Sequence, residues 1–508
     1  MLKTTGAAAA ATVFAGACSG DSGGTSPSGP ATTLTIGQTY GPNSLDPAKT
    51  NGALQMYVWP AYEPLVYWAP DGSLQPRLAT SWKYVGTGNT RFEMTLRPGV
   101  KFSDGSPLNA EVVKANIEYA KQAGGEIVPL LAPIASVEAV DELTVGLSLS
   151  EPFPLLPTLF TQSRGSGRPI SGEALRRPEK LATESFGAGP YMLDPAATVA
   201  NDHYAYVPNP HYWDTASVRY EKVVVKILPN PNTALAALKT GQVDVMPGSP
   251  TTIEAAKAAG LDVRHAPVSF SGLAFADRTG DLVPALGDVR VRQAINHALD
   301  REKITKGLFG EYGAPAQQIV APGMDGYNDT TFYNYDVARA RQLMAEAGYA
   351  DGFDLPVLTS ANTNLMGQAI ADELRQIGVR VRISNQAEAA NYLKEMATGK
   401  FAAYVIGYGM NQVVLMGPNL FLPKSVQFNP RKSSDRQIEA WYQQALAVDD
   451  AARGELTKKI VARLAEQAWF APVTYTSASV YSRSTVSDVQ ITAQRPSLYP
   501  LEWKPATA

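Results

Sequence analysis

The sequence predicts an α/β architecture divided over more than one domain, and three features carry that prediction. Short runs alternating at period two are followed repeatedly by segments with apolar residues at helical spacing. Asn, Asp and Gly fall where those segments should begin and stop. A chain of 508 residues also exceeds what one hydrophobic core ordinarily serves.

Residues 34–40 read as the opening strand, leading into the loop Gly41-Pro42-Asn43-Ser44-Leu45-Asp46-Pro47. Residues 91–96 alternate as a strand that ends in the turn Arg97-Pro98-Gly99. Asn109 then caps a helix with the apolar face Val112, Val113, Ile117 and Ala120. Residues 222–228 form a strand presenting Val223, Val225 and Ile227 on one face. A helix from Thr233 carries Leu235 and Leu238 and stops at Gly241, and Val243 and Val245 mark a short strand after it. Asp288 caps the helix of Val291, Ile295 and Leu299, with Arg290 and Arg292 expected on its solvated or interdomain face. Asp336 caps that of Ala340, Leu343 and Ala347, which Gly348 ends. Ile370, Leu374 and Ile377 make another helix, stopped by Gly378. Val379, Val381 and Ile383 then alternate with Arg380 and Arg382 as a half-buried strand. Helices around 438–446 and 456–464 close the series.

The composition, 45% apolar and 18% charged, is that of a globular protein rather than a disordered one. With a net charge of −3 and both signs mixed along the chain, no basic stripe offers a footprint for nucleic acid. The four histidines (His203, His211, His265 and His297) lack metal-ligand spacing, and a single Cys excludes a thiolate cluster. No phosphate-cradling glycine loop occurs. No metal and no cofactor are expected.

Lys3 is followed by an uncharged stretch over 6–17, too short for a bilayer span of about 20 residues but suited to a secretory signal. It ends Ala15-Gly16-Ala17-Cys18, which resembles a lipobox and implies lipidation of Cys18. Residues 1–18 are then a lipoprotein signal and 19–33 a flexible Gly-, Ser-, Pro- and Thr-rich tether. A multiply acylated Cys would hold the protein at the outer face of the cytoplasmic membrane. Gly20-Asp21-Ser22-Gly23-Gly24 matches the G-x-S-x-G pattern, but a tether cannot hold a nucleophile on a rigid turn beside a positioned His. A serine hydrolase is therefore the rejected rival, and no enzyme is expected.

Several ordered stretches resemble the family 5 extracellular solute-binding proteins, the oligopeptide, dipeptide and nickel group. They include Ser44-Leu45-Asp46-Pro47-Ala48, Tyr62-Glu63-Pro64-Leu65-Val66 and Pro76-Arg77-Leu78-Ala79-Thr80-Ser81-Trp82. Thr95-Leu96-Arg97-Pro98-Gly99-Val100-Lys101-Phe102-Ser103-Asp104-Gly105 is the most specific, and Asn209-Pro210-His211-Tyr212-Trp213 and Gly241-Gln242-Val243-Asp244-Val245 follow in order. The resemblance implies a two-lobed fold of the large type II periplasmic-binding class, with a hinge and an extra subdomain inserted in lobe I. Lobe I would take 34–60, 187–270 and 475–508, the inserted subdomain 61–186, and lobe III 271–474. The chain would cross the hinge near Ser269-Phe270-Ser271-Gly272 and Pro472-Val473-Thr474-Tyr475. The implied function is that of a monomeric receptor passing a small solute or peptide to an ABC permease and its ATPase.

In peptide-binding members a strand ends Gly-Trp-x-x-Asp, where the Asp accepts the ligand ammonium. Here the match reads Gly407-Tyr408-Gly409-Met410-Asn411, so Tyr408 replaces the Trp and Asn411 the Asp. A neutral amide leaves a buried ammonium uncompensated and suits hydroxyls, amides or a carboxylate better. The ligand therefore stays open between a peptide-type solute and a neutral or anionic one such as an oligosaccharide or glycoside. Another carboxylate taking over the role of the Asp is the remaining alternative. Tyr40, Phe270, Tyr408, Gly409, Met410, Asn411 and Tyr475 are expected at the cleft, and Arg164 or Arg168 is expected to meet a ligand carboxylate.

Overall fold

The computed structural model describes residues 33–506 apart from 51, 126 and 426. The expected signal, Cys18 and the tether up to residue 32 lie outside the described residues.

Local chemistry sets the helix starts. The Asn109 side chain accepts from Val112 N at 3.0 Å and opens the helix Ala110–Gln122. Asp288 and Asp336 cap Val289–Ala298 and Val337–Glu346 in the same way. The helix expected from Thr233 begins earlier, as Pro231–Lys239. Asn230 is its cap, and Pro231 occupies the first helical position, where its missing N–H leaves no bond unmade.

Among the described residues, one sheet of 11 strands runs through most of the molecule. Its centre is an antiparallel pair of long strands, Asp262–Phe275 and Phe470–Ser482. On one side lie Val245–Pro247, Thr33–Gln38, Lys222–Ile227, His203–Pro208 and Tyr191–Leu193, making the first lobe. On the other lie Ala403–Gly409, Phe353–Ser360 and Val379–Gln386, making the second. The rungs Ala266–Ala478 and Pro267–Ser477 pair the two long strands where neither lobe adds a further strand. Register shifts follow at Pro267/Ser269 and Ser271/Gly272. The link is therefore thinnest a few residues to the first-lobe side of Ser269.

Both faces of the second lobe's sheet are covered. Leu273 and Phe275 join Val291, Ile295, Leu355 and Ile370 on one face. Phe270 and Ala274 join Tyr404, Ile406, Val413 and Leu464 on the other. Burial on both faces explains why residues 403–406 read as an apolar run, whereas the outer strand Val379–Gln386 keeps its alternation with Arg380 and Arg382 exposed. A separate antiparallel sheet, in the order Ala79–Tyr84, Arg91–Leu96, Thr144–Leu149, Ile134–Ala139, packs with the helix Ala110–Gln122 around Phe92, Met94 and Ile117.

One expectation is corrected here. Arg292 does not face solvent or another domain: it is 4% exposed. Its Nη1 donates to Leu286 O at 2.6 Å, its Nε to Ala468 O at 3.2 Å and its Nη2 to Gln467 O at 2.9 Å. The last two are orphan carbonyls at the end of the helix Asp450–Glu466, where a cation is favoured.

Candidate functional site

A cavity of about 490 Å³ opens between the lobes, a size suited to a small organic ligand. Trp68, Asp71, Ser163 and Arg164 form part of one wall. The C-terminal segment of the first lobe adds Gln494 and Ser497. Met324, Asp325, Met410, Asn411 and Gln412 face them from the second lobe.

Each wall is held from behind. Gln162 is 2% exposed and clamps the Trp68 backbone, its Oε1 accepting from Trp68 N at 2.9 Å and its Nε2 donating to Trp68 O at 2.7 Å. Arg168 Nη2 in turn donates to Gln162 O at 2.6 Å. On the facing wall, Asp325 accepts from Thr457 Oγ1 at 2.7 Å and from Val413 N at 3.2 Å, at the start of the helix Val413–Leu420. Burial raises its pKa, against those hydrogen bonds. Asp71 differs: its bonds to Ser73 lower its pKa, which favours the charged form at the rim. Asn411 turns its own Oδ1 onto Gln412 N at 2.8 Å.

The strand Ala403–Gly409 leads into this wall with one edge open. It pairs with Asp262–Phe275 from Ala403 to Gly409, but with Phe353–Ser360 only at Ala403 and Tyr404. Met410 N donates inward to Val268 O at 2.8 Å. Alternation along the strand therefore turns the peptide groups of Gly407 and Gly409 outward, and both residues are exposed. A Cβ added at either would meet nothing within 4 Å.

Of the residues expected at the cleft, the structure brings Met410 and Asn411 to the cavity, with Gly409 directly before them. Tyr408 is half-buried behind, edge-on to Phe428 at 5.1 Å, and burial raises its pKa. Two aromatic expectations are corrected, and a third residue falls outside this cavity. Phe270 is wholly buried between Tyr408 and Phe470. Tyr475 is 4% exposed, its hydroxyl spent on Val320 O at 2.6 Å. Tyr40 is 72% exposed and outside the cavity lining, its carbonyl accepting from Tyr57 Oη at 2.7 Å. Strand ends near a hinge face the core as readily as the cleft, and parity along the strand decides which. Arg168 is corrected too: it is 3% exposed and absent from the lining, with its pKa lowered to about 10 by burial. Arg164, four residues earlier, lines the cavity instead.

Sequence reasoning missed Trp68, Asp71, Gln494 and Ser497 as wall residues. Residues 493–497 carry no periodic signal.

Residues 73–419 match the family model described as bacterial extracellular solute-binding proteins, family 5 middle. The glutathione-binding protein GsiB of Salmonella typhimurium is 29% identical over 388 residues, spanning 75% of this chain and 72% of that protein. Among solved structures, HbpA2 from Haemophilus parasuis superposes with a TM-score of 0.83 at 22% identity, covering 93% of this chain and 100% of that one. DppA from Helicobacter pylori, in complex with the peptide STSA, gives 0.69 at 22% identity over 94% and 98%. With more than half its length matched by that model, the chain belongs to the bacterial extracellular solute-binding proteins of family 5.

Proposed function

We propose that this chain captures a short peptide-type solute in the interlobe cleft and delivers it to an ABC permease. The observation that carries the reading is the open edge at Gly407 and Gly409, running straight into the Met410–Gln412 wall. An extended ligand backbone can bond to such an edge irrespective of its side chains. Similarity to a glutathione-binding protein supports a peptide of modified or anionic character. Asn411 fits that character, since it offers no charge to an ammonium. Asp71 and Arg164 on the opposite wall supply the two signs a zwitterion needs.

A second reading, a glycoside or oligosaccharide, draws on Trp68 as a stacking face among the amides of Asn411, Gln412 and Gln494. In either case lobe I comprises 34–60, 187–270 and 475–508, the subdomain 61–186 and lobe III 271–474. Cys18 carries the lipid.

A thermal-shift and calorimetric screen of short peptides, glutathione and sugars tests the assignment. A ligand at 100 times its Kd stabilises the protein by about 2.7 kcal/mol. Peptide-type compounds should produce that shift, and Asp71→Asn should weaken them about tenfold. A shift by sugars alone removes the peptide assignment.

A further inference from the structure

One side chain crosses the mouth of the cleft. Gln494 Nε2 donates to Gly323 O, in the second lobe, at 3.0 Å. Its stem lies on Gly72 of the subdomain, where an added Cβ would come within 3.0 Å of the Gln494 Cβ. At Gly323 an added Cβ would fall 2.6 Å from Nε2. Both glycines have left-handed backbones, with φ of +85° and +82°, so neither position readily takes a side chain. Three segments far apart in the chain thus meet at one amide.

The two ends of this contact are fixed to different bodies. Thr492 Oγ1 donates to Pro70 O at 2.6 Å and accepts from Arg495 N at 3.0 Å. Arg495 is wholly buried and paired with Glu502. The turn carrying Gln494 is therefore pinned to the first lobe and the subdomain. Gly323 sits two residues before Asp325, whose carboxylate is bound to Thr457 and Val413 of the second lobe. Between these anchors the contact runs through the Gln494 side chain.

We propose that Gln494 is a cross-cleft strut that sets the aperture of the ligand-free cleft. It rests on the capture reading only for its purpose, since the strut acts before any ligand arrives. A single neutral hydrogen bond across a hinge changes the balance of open and closed forms by about two- to tenfold. It makes the ligand-free protein part-closed without committing it.

The test is a distance measurement between spin labels on the two lobes of the ligand-free full-length chain. Lys239→Cys and Lys394→Cys provide exposed sites, in a Cys18→Ser background. Gln494→Ala should move the distribution to longer separations, the open population rising about two- to tenfold. Gln494→Glu, which removes the donor and sets a carboxylate against the Gly323 carbonyl, should open it at least as far. An unchanged distribution in both variants overturns the strut. That readout uses no ligand, so a failure of every peptide to bind would sink the capture reading while leaving the distances to decide this one.

Discussion

Two of the contacts that join the parts of the molecule are built from different materials. At the first, the strands Asp262–Phe275 and Phe470–Ser482 pair backbone to backbone, with the bare rungs at Ala266 and Pro267 and two register shifts beyond them. At the second, the subdomain reaches the second lobe with its side chains and, among the described residues, shares no strand with it. Leu155 is 3% exposed within the cluster of Tyr404, Ile406 and Val413, and Phe153 packs against both that cluster and the subdomain's own. Asn89 Nδ2 donates to Leu446 O at 3.0 Å and Val448 O at 3.1 Å, at the end of the helix Arg436–Ala447. The backbone joint can bend but cannot part without unfolding. The side-chain joint can slide or part, and what it loses on doing so is buried apolar area and two hydrogen bonds. The subdomain is thus attached to both lobes, so closure of the cleft must pivot about this second contact or break it.

The largest effect is expected from Leu155→Ala, which leaves a cavity in the second lobe's core and should cost about 2–5 kcal/mol in urea unfolding. A loss below about 1 kcal/mol would reduce the second joint to a surface touch. Next comes Gly272→Ala at the first joint. An added Cβ would lie 2.3 Å from Ala471 O, on the neighbouring strand, with no flexible side chain to yield. Overpacking of that kind should cost about 1–3 kcal/mol. Because the ladder itself is strained, it should also slow closure in stopped-flow binding, whereas unaltered kinetics would place the bend elsewhere. The smallest effect is expected from Asn89→Ala, which deletes two hydrogen bonds and puts Ala at φ 51°. About 1–2 kcal/mol should be lost. A ligand affinity that rises in this variant would show that the second joint opposes closure; one that falls would show that it guides it.

The contrast also marks what the sequence makes legible. Caps such as Asn109, Asp288 and Asp336 act within three residues of themselves, so their chemistry is readable in one dimension. The family likeness rests on turn pairs such as Pro98-Gly99 and Asp104-Gly105, which are local as well. Asn89 acts on carbonyls more than 350 positions away, and nothing near it announces the fact. The site divides along the same line. Met410 and Asn411 were reachable because they follow a strand in sequence. Trp68 and Gln494 become walls only when the lobes are assembled. Phe270 and Tyr475 were misplaced because the second lobe's sheet buries both faces, so alternation there points to no solvent side.

The strand order has a consequence for how such a chain is made. Phe470–Ser482 is the rung through which the first lobe's sheet reaches the second, yet it is among the last strands synthesised. Until Phe470–Ser482 is in place, Asp262–Phe275 and Val245–Pro247 each show an edge with no partner, a gap one strand wide. Unpaired edges of this kind recruit other chains, and the wait is long because the missing partner lies so far along the sequence. A chain of this topology keeps two edges open until its C-terminal part is in place, which a protein with neighbouring strands does not.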